Sequence, residues 1–142
     1  MYAGTFNMKK IIFLLIIILF TTGSTYAQVL ISADLRQDGK FNNTTGIYEP
    51  VSKDKAELSY FEFDKDFTLC RHMTPDKTSL YRIRSTKKDE LNGRWEFDVV
   101  SNAGYSYYLI LDIVNNNIRF IYKEKGTTYL AQFNINKFWV DK

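Results

Sequence analysis

The chain has 142 residues, with 19 basic and 16 acidic side chains, a formal net charge of +3 and an aromatic share of 16%. One cysteine and one histidine are too few for an internal disulfide or for a structural zinc site, which takes three or four His or Cys ligands. Charges alternate in sign, as in Lys53-Asp54-Lys55 and Asp64-Lys65-Asp66; this argues against the clustered basic face that nucleic acid or an anionic membrane surface requires.

The first element is a leader. Met8-Lys9-Lys10 precedes the apolar run Ile11 to Phe20, and Thr25-Tyr26-Ala27 places small side chains where a signal peptidase cuts. The apolar run of ten residues is about half the roughly 20 needed to span a bilayer. A secretory signal peptide is therefore expected over 1–27, with one domain over 28–142 and no membrane span after cleavage. The expected destination is the periplasm or the extracellular space. Because the leader holds Lys9 and Lys10 and no acidic residue, the basicity of the whole chain largely disappears with it.

Beyond the leader, apolar and polar residues alternate with period two, the pattern of a strand with one buried face. Val29 to Leu35 and Gly46 to Val51 give two weaker strands, separated by Arg36 to Thr45, whose polar, Asn- and Gly-containing composition predicts an exposed loop. Ala56 to Phe63, Phe67 to Met73 and Ser79 to Arg84 follow, and Lys87 to Leu91 could form one helical turn. In Arg94 to Val100 the core face is expected to be Trp95, Phe97 and Val99, opposite Arg94, Glu96 and Asp98. Tyr105 to Val114 is apolar on both faces, as a covered central strand would be. Ile118 to Lys123 and Thr128 to Ile135 complete the series.

Turn chemistry separates these segments, as in Asn92-Gly93 and Lys125-Gly126. Short turns join antiparallel neighbours, so the fold class is all-β, an antiparallel meander of about eight strands. A barrel is favoured over a β-sandwich, whose Greek-key crossovers need longer connections.

The order Phe61-Glu62-Phe63-Asp64, Phe67-Thr68, Gly93-Arg94-Trp95, the long strand around Tyr107 to Ile113 and Ile118 to Tyr122 resembles the small exported lipocalin-like (calycin-type) β-barrel proteins of bacteria. Where that family opens its first barrel strand with Gly-x-Trp, this chain has Gly46-Ile47-Tyr48. The resemblance implies an apolar cavity for a small ligand or a role in the cell envelope.

Candidate chemistry is sparse. His72 is read as a surface or packing histidine and Cys70 as a small buried hydrophobe. Glu96 and Asp98 project about 7 Å apart from one strand face, a spacing glycosidases use, but with Arg94 beside them they read as a solvated exterior. No nucleophile elbow, phosphate loop or dinucleotide fingerprint is present, so no catalytic, metal or cofactor site is expected. Ligand-binding candidates are Arg71, Arg82 and Arg84, which could fix a carboxylate head group if they faced inward, and Tyr105, Tyr107 and Tyr108, an excess of rings on one strand. An inward face of Tyr81 and Ile83 would instead leave Arg82 and Arg84 outside.

Two functions follow: a non-enzymatic binder of a small apolar or amphipathic ligand, or an exported protein-interaction module with a filled barrel. The packing of Trp95, Phe97, Tyr107, Leu109 and Phe120 is expected to separate them.

Overall fold

A computed structural model describes residues 27–140; the expected leader lies outside them, apart from Ala27. Nine strands follow one another: β1 (Ala27–Asn42), β2 (Ile47–Pro50), β3 (Lys55–Asp64), β4 (Leu69–Met73), β5 (Thr78–Asp89), β6 (Arg94–Ser101), β7 (Ser106–Asp112), β8 (Asn117–Glu124) and β9 (Thr127–Val140). No helix occurs among the described residues. Every neighbouring pair is antiparallel, and β1 also pairs with β9 from Val29↔Val140 to Lys40↔Tyr129. Thus β1 and β3 to β9 close an eight-stranded barrel, while β2 pairs only with the distal end of β1, Gly39 to Asn42.

Local turn chemistry enforces the meander. Lys125 and Gly126 both have left-handed φ, 50° and 79°, the conformation of a type I′ hairpin whose twist matches its flanking strands. Between β3 and β4 the Asp64 carboxylate accepts the backbone N–H groups of Thr68 (2.7 Å) and Leu69 (3.0 Å). The same turn holds Phe67 at φ 53°, where a residue with a Cβ is disfavoured by about 1–2 kcal/mol.

That conformation aims the Phe67 ring into one end of the barrel. It stacks on Trp95 (5.2 Å, 15°) and Phe97 (6.0 Å, 11°), and the Lys88 ammonium lies 5.0 Å over the Trp95 ring. Behind this plug the interior is solid: Val29, Ile31, Phe61, Phe63, Cys70, Phe97, Val99, Leu109, Leu111 and Ile118 are all buried. Each large apolar side chain buried there contributes about 1.5–3 kcal/mol. Trp95, Phe97 and Val99 face inward as the alternation of β6 indicates.

Two local expectations need correction. Arg36 to Thr45 is not a loop along its length; β1 continues as strand to Asn42. Composition misleads here because Arg36 turns into a polar interior and Gly39 to Asn42 pair with β2 at the edge of the barrel. Two adjoining register shifts around Ala33 leave Asp34 of β1 and Asn136 of β9 unmatched. The bulge at Asp34 changes which side chains point inward: Leu35 stands beside outward Asn134, and Arg36 stands beside inward Phe133. The helical turn expected at Lys87 to Leu91 is also absent, because β5 runs on to Asp89, paired with Arg94.

β7 has the two-sided burial its sequence suggests. On its outer face Ile110 is 7% exposed, flanked in register by Glu96 and Arg119, whose long stems can cover it.

Candidate functional site

Towards the opposite end the same strands carry different inward residues. Small side chains, Ser79 on β5 and Ala131 on β9, replace the bulky ones below, and a cup of about 460 Å³ opens. Phe120, Phe133 and His72 form its lower part, with Phe61 stacked beneath His72 (4.3 Å, 6°). One wall is aromatic. Tyr81, Tyr107 and Tyr122, on β5, β7 and β8, touch in sequence edge to face, with Tyr81–Tyr107 and Tyr107–Tyr122 centroids each 5.5 Å apart, a favoured geometry for ring pairs. The other wall is charged: Arg36 from β1, Lys55 and Glu57 from β3, and Asp76 and Lys77 from the β4–β5 turn.

Two of these cations are held in ion pairs. Arg36 donates from Nε and Nη2 to the Asp38 carboxylate at 3.0–3.1 Å, while its guanidinium lies 5.4 Å over the Phe133 ring. Lys55 Nζ lies 3.1 Å from Glu57 Oε2. Deeper in, the polar groups are neutral. Burial pushes the His72 imidazole down to about 4 and the Tyr81 hydroxyl up to about 12; burial also raises Tyr107 and Tyr122. Nε2 of His72 is buried without a hydrogen-bond partner, a condition that costs about 1–3 kcal/mol in a protein interior.

Of the residues singled out from sequence, Tyr107 is the one placed in the cup. Tyr108 faces outward and donates its hydroxyl to Glu96 Oε1 at 2.6 Å, and Tyr105 is exposed. Arg71 lies outside the barrel, 3.2 Å from Glu62. Arg82 is exposed opposite Leu69. Arg84 occupies a bulge in β5 and donates to Ser106 Oγ at 3.0 Å. Arg84, Tyr105, Tyr107 and Tyr108 do share a second, outer pocket of about 750 Å³, which meets the cup at Tyr107 and Tyr122.

The cup residues not singled out include Arg36, Glu57, His72 as a wall residue, and Tyr122. Tyr122 was visible in the alternation of Ile118 to Lys123. Arg36 was hidden by the bulge, and His72 by the register of β4. The apolar face Phe67, Leu69, Met73 suggests that Leu69 points inward; instead Cys70 and His72 do, because Phe67 belongs to the turn rather than the strand. Cys70 is fully buried and its thiol is pushed up, chiefly by burial, so little thiolate forms.

No group of three or more His, Cys, Asp and Glu residues suited to a metal ion occurs among the described residues. No helix there is long and apolar enough to cross a membrane. No family model, curated protein or solved structure matches this chain.

Proposed function

We propose that the protein is an exported, non-enzymatic small-ligand binder of lipocalin-like type, with its ligand held in the cup. One observation carries the reading: the barrel is packed solid at the Phe67 end and open for about 460 Å³ at the other, within the roughly 300–1,000 Å³ of small-molecule sites. Of the residues that would fill a solid barrel, Phe97, Leu109 and Phe120 are buried and Trp95 and Tyr107 are half-buried against them, with Tyr107 and Phe120 also lining the cup. The strand order resembles that of lipocalin-like barrels, and the leader motif supports export to the periplasm or beyond. The non-enzymatic reading rests on the sequence, which carries one histidine and no nucleophile-elbow, phosphate-loop or dinucleotide motif.

Native mass spectrometry of the purified protein tests this. The expected result is a one-to-one adduct of a small molecule, co-purified or added, that disappears in Ala131→Phe, where a ring fills the cup. Adduct-free protein across a broad small-molecule panel would overturn the reading.

A second reading, the protein-interaction module, is favoured by exposed apolar residues near the closed end. Leu91 is 98% and Val114 69% exposed, on neighbouring turns joined by the Ile113 N–H to Gly93 carbonyl hydrogen bond. It requires that Leu91→Asp with Val114→Asp abolish capture of a protein partner.

A further inference from the structure

We propose that the cup selects a net-uncharged, flat aromatic molecule with a hydrogen-bonding edge, and discriminates against the same skeleton bearing an anionic group. This deepens the small-ligand reading and rests on it.

Charge comes first. Arg36, Lys55 and Lys77 line the cup together with Glu57 and Asp76, and the Asp38 carboxylate pairs with Arg36. Arg36 and Lys55 are already engaged at 3.0 and 3.1 Å. A carboxylate or sulfonate entering beside either cation must displace its partner or lie against it. It also loses its hydration, and an unpaired buried charge is strongly penalised. An uncharged ligand leaves both pairs intact. The inward placement of Arg36 is thus not an anion trap, because Asp38 occupies its fork.

Shape comes next. The guanidinium over Phe133 is a planar cationic group already lying on one ring of the cup. The tyrosines opposite meet edge to face, so a flat ligand can find either a ring face or a ring edge, the two arrangements aromatic pairs prefer. A volume of about 460 Å³ equals about 15 waters at ~30 Å³ each, enough for two or three fused or linked rings in an open vessel.

Specific polar contacts are then made to groups that carry no charge. The Ser79 and Tyr81 hydroxyls face the cup, and each can donate or accept. An N–H or O–H on the ligand edge can be received there without any ionic partner.

Two fluorescent probes form a matched pair: N-phenylnaphthylamine, uncharged with one N–H, and anilinonaphthalene sulfonate, the same skeleton with an added anion. Titrated into the full chain, the uncharged probe is expected to bind at least ten-fold more tightly. Asp38→Asn frees the Arg36 charge and should bring the two Kd values within about two-fold of each other. Arg36→Gln, which serves also if the first variant fails to fold, should widen the gap. Ala131→Phe should abolish binding of the uncharged probe, and binding that survives it lies outside the cup and overturns the proposal. Equal or tighter binding of the sulfonate to the unaltered protein overturns the charge selection while leaving the cup as a ligand site. Failure of both probes to bind folded protein overturns the ligand-binding reading itself.

Discussion

The two ends of this barrel are made by the same strands and differ in almost every other respect. Near Phe67 the inward residues of β3, β6 and β7 are Phe63, Phe97, Leu109 and Leu111, all buried. Towards the far end β1, β3, β5 and β8 present Arg36, Glu57, Ser79 and Tyr122 to the open cup. An eight-stranded barrel is about as wide as its own side chains can fill, so shrinking a few of them is enough to open it. Apolar packing is concentrated at one end and polar side chains around an open cup at the other, with His72 at the boundary.

The largest effect should come from the solid end. Phe97→Ala is expected to cost about 3–5 kcal/mol, seen as a lower urea midpoint, whereas Tyr122→Ala in the half-open cup should cost less than about half as much. Equal losses would break the division between the ends.

His72 should give the next largest effect, through pH. Its imidazole stays neutral in the fold down to about 4 but takes up a proton near 6.5 once the chain unfolds. Between those values the unfolded state binds more protons, so stability present at pH 7 is lost as pH falls from 6.5 towards 4. The loss is at most about 3 kcal/mol. Urea melts at pH 7 and pH 5 should differ for the unaltered protein and much less for His72→Gln; an unchanged difference would place the titration elsewhere.

Gly93→Ala should cost about 1–3 kcal/mol. Gly93 has φ 62°, and an added Cβ would lie 2.4 Å from Val114 Cγ2. Gly126→Ala, equally left-handed but in open space, should cost less in the same thermal melts. Smallest of all, Arg82→Ala on the exposed outer face should stay within about 0.5 kcal/mol, and a larger loss would mean that the exterior supports the fold more than its exposure suggests.

How much of this was legible in the sequence follows the same division. Where the interior is apolar, alternation gave the right face: Trp95, Phe97 and Val99 are inward, and the Asn-Gly and Lys-Gly turns produce the meander. Where the interior is polar, alternation carries no sign, because a polar residue facing a cup reads like one facing water. Arg36 therefore looked like loop, and Arg71, Arg82 and Arg84 looked like candidates although all three point away from the cup. Glu57 and Tyr122 lie on strands that were correctly located, yet nothing local distinguishes a cup residue from a rim residue. Phe67 shows the other limit. Its place at the head of an apolar segment suggested a strand start, and its left-handed turn conformation depends on the Asp64 carboxylate reaching forward to Thr68 and Leu69.

The unmatched Asp34 in β1 has a consequence for comparing this chain with others. A strand is read in steps of two, and Asp34 changes the phase of that reading for everything after it in β1. Two proteins could both carry Arg36 and Asp38 at aligned positions and yet, if one lacked the bulge, turn Leu35 and Gln37 inward in their place. The binding chemistry of such barrels would then be inherited as a backbone irregularity, and identity at the cup residues alone would be a poor guide to shared ligands.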